Sequence, residues 1–177
     1  MDGVELIERY IILLLGVRDR PIPTATHVQK ELFALTRANP RIAERMTFDR
    51  HHLGPYSDDV GSISRNPIYH KDAYVMDEYN RLHLTDSGRA VFDDLVSDNS
   101  GDLRFRELLA MMTMVRDLYD DLTVDEVLFL VHVTYGEYTE RSSRADHLLS
   151  PGKRRQLSRS LLEKGAITSK RYEELVN

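Results

Sequence analysis

Four of the seven histidines lie in or beside one central stretch of the sequence, at His51, His52, His70 and His83. Imidazoles close to Asp or Glu can bind zinc, so these residues are the first candidates for a metal centre. Their spacing matches no zinc-binding pattern, and there is no His-Glu-x-x-His sequence. Neighbouring side chains on an extended chain point in opposite directions, so His51 and His52 are expected to diverge. We therefore predict structural or surface histidines and no metal.

Adjacent carboxylates are a second set of residues that could support acid–base chemistry. The pairs in and beside the central stretch are Asp58 and Asp59, Asp77 and Glu78, and Asp93 and Asp94. The first and last pairs fall in predicted helices, where neighbouring side chains diverge by about 100°. Helix capping and a solvated surface explain these pairs better than a shared catalytic role does.

Nucleophiles and phosphate-binding loops are missing from the sequence. No serine lies in a Gly-x-Ser-x-Gly motif, and the chain contains no cysteine. No segment matches Gly-x-Gly-x-x-Gly or Gly-x-x-x-x-Gly-Lys-Ser/Thr. The sequence therefore predicts a protein that is not an enzyme and binds no cofactor.

The elements that must position any binding residues lie within residues 53–95. A Gly-Pro pair breaks the chain at residue 54, and Ser57 can cap a helix over residues 57–65. Acids in the first turn of this helix are favoured by its dipole. The Asn66-Pro67 pair ends the helix, because a residue before proline is disfavoured in the helical conformation.

A β-hairpin is predicted next, over residues 74–84, where two strand-like runs flank a polar turn. Thr85 then caps another helix with apolar residues on one face. We expect this helix, the central helix and the N-terminal helices to share one core. The core residues predicted in this way are Ile11, Leu32, Ile63, Val91 and Leu95.

The N-terminal part predicts two amphipathic helices that are joined by a rigid connector. The first covers residues 4–17, and Pro21 and Pro23 prevent it from continuing. The second begins at Thr24 or Thr26. Residues 41–52 are interpreted as a short helix followed by an extended segment.

The strongest composition break is the polar segment from Ser97 to Gly101, and we predict a domain boundary there. The two domains are residues 1–97 and 102–177. The second is predicted to be all helical, with a capping box from Thr123 to Glu126 and Gly165 as a left-handed helix end.

Three methionines on the first helix of the second domain have two interpretations. Met111, Met112 and Met114 could form an adaptable protein-binding surface. Their helical spacing beside Leu108 and Val115 fits a buried core better. The sequence favours the core.

The composition predicts a globular protein without a membrane-spanning segment. A chain of 177 residues that is 41% hydrophobic can bury a core without disulfides or a structural metal. The longest apolar run, residues 10–15, is far shorter than the roughly 20 residues needed to cross a bilayer. The first residues are acidic, whereas a signal peptide begins with basic residues. We expect a soluble cytoplasmic protein.

Three short motifs together resemble a known superfamily. Gly-Pro-Tyr-Ser at 54–57, the hairpin at 74–84 and Leu-Thr-x-x-Gly at 84–88 resemble the winged-helix regulators of bacteria and archaea. More narrowly, they resemble the prokaryotic Panacea or SocA-like antitoxins and proteolytic adaptors. Segments 122–128 and 164–169 resemble an uncharacterised prokaryotic group that supplies no activity. The resemblance implies a mainly α fold with a small β-hairpin, in which a winged helix-turn-helix domain precedes an all-helical C-terminal extension.

The first functional hypothesis is a DNA-associated transcriptional regulator. In such a protein the central helix enters the major groove of double-stranded DNA, and the hairpin contacts the backbone. Hydroxyl and cationic side chains make these contacts. The candidate DNA-binding residues are Ser57, Ser62, Ser64, Arg65, Lys71, Arg81, Lys153, Arg154, Arg155 and Arg159.

The distribution of charge supports an alternative, a protein-binding adaptor or antitoxin-like module. Acidic pairs open the candidate recognition helix and occupy the hairpin tip, where DNA phosphates would lie. Residues 141–177 carry nine Lys/Arg against four Asp/Glu, a balance of +5, which leaves −10 for residues 1–140. An acidic body repels DNA, whereas a basic tail attracts it. Pairing of this tail with the acidic body of a second copy would also suit a homodimer.

Overall fold

A computed structural model describes residues 2–140 and 142–177 of the chain. Within these residues the protein is mainly helical, with two small antiparallel sheets of two strands each. None of the helices described there is long and apolar enough to cross a membrane. The elements follow in this order: α1 (Gly3–Gly16), α2 (Ala25–Ala38), α3 (Pro40–Ala43), β1 (Asp49–His51), β2 (Gly54–Tyr56), α4 (Asp58–Ile63), β3 (Tyr74–Met76), β4 (Leu82–Leu84), α5 (Asp86–Asp98), α6 (Leu103–Tyr119), α7 (Val124–Thr134), a 3₁₀ turn (Gly136–Tyr138), α8 (Ala145–Leu148), α9 (Pro151–Glu163) and α10 (Ser169–Val176).

The chain divides into two compact units. The first unit contains the residues up to Thr47 together with Ser57–Asp120, and the second contains Phe48–Tyr56 together with Asp121–Asn177. The chain therefore leaves the first unit for one short segment, returns to it, and leaves it again after α6.

In the first unit, α1 contacts α4, α5, α6 and β4, and α2 contacts α3, α4 and α6. The α1 helix begins where the Asp2 side chain accepts from a backbone N–H of the first turn, and its Ile11 and Leu14 are fully buried. The Phe92 ring of α5 fills the space that a Cβ on Gly16 would occupy. The missing side chain at Gly16 thus permits the close approach of α1 and α5.

Arg116 of α6 is fully buried and joins this helix to other parts of the first unit by hydrogen bonds. Arg116 donates from Nη1 to the Leu14 carbonyl at 2.7 Å, and from Nη2 to the Arg20 carbonyl at 2.9 Å. Its Nε donates to Oδ1 of Asp120 at 2.8 Å and lies 3.9 Å from Oε2 of Glu31. Burial raises the pKa of Glu31 well above its usual value, although Arg116 opposes this effect.

These contacts explain why the two units differ from the predicted domains 1–97 and 102–177. The sequence predicts that α6 opens a separate domain, but its Met112, Arg116 and Tyr119 are buried within the first unit. The polar segment 97–101 therefore joins two helices of one unit.

In the second unit, a two-stranded sheet lies beside α7. β1 and β2 are antiparallel, with His51 opposite Gly54. The His52 carbonyl in the turn between them accepts from the Ser143 N–H at 3.2 Å and from the Ser142 hydroxyl at 3.1 Å. α7 also contacts α8 and α9, and α9 contacts α10. These hydrogen bonds thus join segment 48–56 to the loop that precedes α8.

Most of the predicted caps and turns are confirmed. β3 and β4 pair antiparallel as the predicted hairpin, and the Thr85 hydroxyl caps α5. Thr123 and Glu126 form a reciprocal capping box at α7, and Gly165 has φ +71° after α9. From α6 onward, the described residues form helices and no strand.

The β1–β2 sheet is a departure from the predicted chain break at Gly54-Pro55. Gly54 has φ +82°, a conformation that suits glycine, and the proline is tolerated because a two-stranded sheet has only edge strands.

The predicted core is confirmed in part. Ile11, Leu32 and Ile63 are buried, whereas Val91 and Leu95 of α5 are only half-buried. The residue of α5 that is fully packed is Gly88, which contacts the backbone of Ala73. α5 therefore contributes less to the core than its apolar spacing predicts.

Candidate functional site

The candidate recognition helix is the short α4, and two of its three predicted serines support the helix itself. The buried Ser57 caps α4, and its backbone is paired with the Gln29 side chain by hydrogen bonds of 2.9 and 3.0 Å. Ser64 is also buried, and its hydroxyl donates to the Gly61 carbonyl at 3.2 Å. These hydroxyls are engaged inside the protein.

The exposed part of α4 presents both cationic and acidic groups. Ser62 and Arg65 are exposed, and Arg65 donates from Nη1 to the Gly61 carbonyl at 3.2 Å. Asp58 and Asp59 are exposed in the first turn. The face that would meet a DNA phosphate therefore contains two carboxylates.

The hairpin tip is organised around Asp77. Its Oδ2 accepts from Arg81 Nε at 2.8 Å and lies 2.8 Å from His83 Nε2. Lost hydration opposes the ionised form, but hydrogen bonds from the backbone and side chain of Arg81, from His83 and from the Tyr79 backbone together lower the pKa of Asp77 below its usual value. Arg81 also lies 5.2 Å from the centre of the Tyr79 ring. Of the two predicted hairpin cations, Arg81 is thus neutralised locally, while Lys71 is exposed.

The four predicted tail cations belong to α9 and differ in their surroundings. Lys153 pairs with Asp125 at 3.3 Å, and Arg154 donates from Nε to the Leu175 carbonyl at 2.5 Å. Arg155 and Arg159 are exposed and have no ion-pair partner among the described residues. Half of this predicted set is therefore already engaged within the second unit.

The fold also offsets the +5 charge of residues 141–177. The second unit contains ten Lys/Arg and ten Asp/Glu, because the tail folds with segments 48–56 and 121–140. Arg144 pairs with Asp125 at 2.7 Å, and Lys164 pairs with Glu126 at 2.7 Å. The first unit contains nineteen Asp/Glu against fourteen Lys/Arg, and therefore the whole net charge of −5.

The histidines do not gather into a metal site. Among the described residues, no group of three or more His, Asp or Glu side chains could hold a metal ion. The expected divergence of His51 and His52 is wrong, because their ring centres lie 3.8 Å apart. His52 follows the end of β1, so strand alternation does not apply to the pair.

The feature of the first unit that sequence reasoning missed is a buried carboxylate on α1, at Glu8. It accepts backbone hydrogen bonds from three successive residues, from Ile68, from Tyr69 at 3.0 Å and from His70 at 2.9 Å. We call this arrangement the Glu8 clamp. The position of Glu8, directly after Ile7 in an apolar helix, could have indicated a buried acid. Its hydrogen-bond partners are about 60 residues away and could not have been identified from the sequence.

The Glu8 clamp holds two large side chains at the surface. Ile68 is 56% exposed and Tyr69 is 52% exposed. The Tyr69 hydroxyl donates to Oδ2 of Asp2 at 2.8 Å, and this bond lowers the pKa of the Asp2 carboxyl. The loop thus combines a fixed backbone, two exposed apolar side chains and a neighbouring negative charge.

Comparisons with known proteins found no family model, no curated protein and no solved structure that matches this chain. The functional inference therefore depends on the contacts, exposure and charge of its own residues.

Proposed function

We propose that the chain is a non-enzymatic binding protein of winged-helix type, and that its first unit docks a protein partner. The observation that carries this proposal is the Glu8 clamp, which presents Ile68 and Tyr69 to solvent on an ordered backbone. This proposal corresponds to the protein-binding adaptor or antitoxin-like module that the sequence offers as an alternative. We favour it over a DNA-associated regulator.

The order of elements in the first unit supports the winged-helix part of the proposal. α2, α4, the β3–β4 hairpin and α5 occur in the order that the superfamily resemblance implies, although α3 and the β1–β2 segment lie between α2 and α4. Ile22, in the connector before α2, exchanges two backbone hydrogen bonds with Leu82, at 2.9 and 3.0 Å. This bridge adds a third extended segment to the hairpin. A fold of this kind hosts many functions, so the docking role must be argued from the surface.

The clamp supports docking because it fixes the backbone of a loop whose large side chains, Ile68 and Tyr69, are exposed and do not contribute to the core. Burying a carboxylate is costly unless hydrogen bonds satisfy it, and Glu8 is satisfied by backbone groups of the exposed loop. A loop ordered before binding loses less conformational entropy in a complex. Tyrosine is also among the residues that contribute most to protein interfaces.

The chemistry of the partner follows from the charge around this loop. Asp2 contacts Tyr69, and the first unit has a net charge of −5. Complementary charge accelerates association and disfavours partners of the same sign. We therefore infer that the partner presents apolar side chains beside lysine or arginine.

A pull-down from native lysate, with and without nuclease, tests this function. We expect a protein whose recovery survives nuclease and falls at least about tenfold when Ile68 and Tyr69 are both replaced by Ser, since interface hot spots contribute 2 kcal/mol or more. Tyr79→Ser is the matched control, because Tyr79 is exposed at the hairpin tip and lies outside the clamp. Equal recovery by the double variant, or recovery that nuclease abolishes, would contradict the proposal.

DNA-associated regulation remains a second candidate, and one specific observation favours it. Ser62, Arg65, Lys71, Arg155 and Arg159 are exposed cationic or hydroxyl residues of the predicted DNA-binding set. Arginine and lysine bind phosphates largely without regard to sequence, whereas groups on α4 could read bases. A salt titration with duplex DNA, described below, separates this candidate from protein docking.

A further inference from the structure

Tyr69 is held along the surface of α1 at both of its ends. Its backbone N–H donates to the Glu8 carboxylate at 3.0 Å, and its hydroxyl donates to Oδ2 of Asp2 at 2.8 Å. Asp2 and Glu8 are six residues apart in the sequence, which corresponds to roughly 9 Å along a helix. The ring therefore lies along α1, with one face towards the helix. The other face is open to solvent, in agreement with the 52% exposure of Tyr69.

Three carboxylates act on the Tyr69 phenol. The hydrogen bond and the charge of Asp2 raise the pKa of the phenol, and the charges of Glu5 and Glu8 add smaller contributions. Of the three acids, only Glu5 has a cationic partner among the described residues, namely Arg9 at 2.8 Å. A hydroxyl that donates to a carboxylate polarises its ring, and the negative face of an aromatic ring attracts cations. The open face of Tyr69 is therefore suited to a positive charge.

The hairpin tip shows how the chain itself occupies a similar arrangement. Arg81 lies 5.2 Å from the centre of the Tyr79 ring, and its Nε donates to Oδ2 of Asp77 at 2.8 Å. One guanidinium is thus shared by a tyrosine ring and a carboxylate. Tyr69 has a ring and the carboxylate of Asp2, but no described residue places a cation over this ring.

The other large apolar side chains exposed in the first unit, apart from Ile68, are aliphatic or already hold a cation. They are Val75, Tyr79, Leu103, Met114 and Leu118. Met112 is buried, as the core interpretation of the three methionines predicts, whereas the 70% exposure of Met114 shows that this interpretation is wrong for Met114. Tyr69 is therefore the exposed ring of the described first unit that is available to a cation from outside.

We propose that the Tyr69 ring and the Asp2 carboxylate together bind one arginine side chain of the protein partner, with its guanidinium flat against the outer face of the ring. The inference rests on the proposed docking function, because it names the residue of the partner that this loop contacts. A guanidinium is planar and more weakly hydrated than an ammonium, so it can stack on the ring and donate from its edge to Asp2. Arginine therefore fits better than lysine. Ile68 is 56% exposed beside this site and suits an apolar neighbour of that arginine.

An NMR titration of the isotope-labelled full chain with short peptides tests this inference. The probes are acetyl-Leu-Arg-Leu-amide and the same peptide with citrulline or lysine in place of arginine. Citrulline keeps the shape of arginine without its charge. We expect the arginine peptide to shift the amide signals of residues 68–70 and to bind about three- to tenfold more tightly than the citrulline peptide. The lysine peptide should bind with an affinity between the two.

Substitutions locate the preference for arginine. Tyr69→Leu should remove it, because this change deletes the ring but keeps an apolar side chain and the backbone N–H that donates to Glu8. Asp2→Asn should reduce it. Tyr79→Leu is the matched control and should keep it, since the Tyr79 ring already holds Arg81. Circular dichroism melts establish that the variants are folded. Equal binding of the arginine and citrulline peptides, tighter binding of the lysine peptide, no binding of any peptide, or a preference that survives Tyr69→Leu would overturn the inference.

The pull-down from native lysate separates this inference from the docking function. Recovery of a protein that depends on Ile68 and Tyr69, without any preference for the arginine peptide, would overturn the inference alone. Loss of both results would contradict the docking function as well.

Discussion

Glu8 has a structural role that its neighbours in the sequence do not indicate. It lies within an apolar helix, and its carboxylate is fully buried yet satisfied by the backbone of residues 68–70. A single side chain thereby determines the conformation of a loop that is distant in sequence. The same hydrogen bonds stabilise the fold and order the proposed docking surface.

The Glu8 clamp gives a direct stability prediction. Glu8→Gln removes the charge and replaces one acceptor oxygen by a donor amide, so at least one buried N–H loses its partner. We expect the free energy of unfolding in urea to fall by about 2–4 kcal/mol. Faster hydrogen exchange at residues 68–70 would locate the effect in the loop. Glu5→Gln is the control, because Glu5 pairs with Arg9 on the same helix and lies outside the clamp. Equal losses in the two variants would show that the clamp has no special role.

The burial of Lys30 leads us to expect that the stability of the protein depends on pH. Burial lowers its pKa to about 7 in the folded protein, compared with about 10.4 in the unfolded chain. Between these values the unfolded chain binds a proton that the folded chain has released, so stability rises with pH. Over pH 7–10 we expect the wild type to gain on the order of 2–4 kcal/mol relative to Lys30→Met.

Urea unfolding at several pH values checks this dependence. The exposed Lys71 supplies the control substitution, Lys71→Met, which should leave the pH profile of the wild type unchanged. If the free energies of unfolding of Lys30→Met and the wild type changed in parallel over pH 7–10, the inferred burial of the amine in its neutral form would be incorrect.

At the level of elements, the Leu-Thr-x-x-Gly motif joins the hairpin to α5. Thr85 caps the helix, and Gly88 lies so close to the Ala73 carbonyl that a Cβ would overlap it. Replacement of glycine by alanine inside a helix normally stabilises by roughly 1 kcal/mol. Here overlap with rigid backbone should reverse the sign, and we expect Gly88→Ala to destabilise by about 1–3 kcal/mol.

Thermal and urea unfolding of Gly88→Ala and Gly3→Ala measure this effect. Gly3 is the control because a Cβ there meets no atom within 4 Å. The prediction fails if Gly88→Ala is as stable as the parent protein.

The elements also show which information the sequence contains. The caps at Ser57, Thr85 and Thr123 depend on residues within three positions, and they were predictable from local spacing. Contacts between distant segments were not predictable in this way. The Glu8 clamp and the hydrogen bonds of Arg116 to α1 both join residues that single-sequence patterns cannot relate. The domain boundary and the clamp were missed for this reason.

At the scale of the whole molecule, the fold redistributes charge that looks segregated in the sequence. A basic tail of +5 becomes part of a unit with no net charge, because residues 121–140, which carry five Asp/Glu and no Lys/Arg, belong to the same unit. The tail then no longer supplies the excess of cations that would attract DNA or the acidic body of a second copy.

This redistribution predicts how the chain responds to duplex DNA in a fluorescence anisotropy titration at two salt concentrations. Lys153 and Arg154 are engaged within the second unit, so Arg155 and Arg159 remain as the tail cations available to phosphate. Each phosphate contact contributes about −0.9 to the slope of log K against log salt. Any binding at low salt should therefore be weak and unselective, and Arg155→Gln with Arg159→Gln should weaken it for every duplex and flatten its dependence on salt. Arg65→Ala should have no effect on site preference. A slope of about −4 or steeper, together with selectivity that Arg65→Ala reduces, would instead favour a DNA-associated regulator over protein docking.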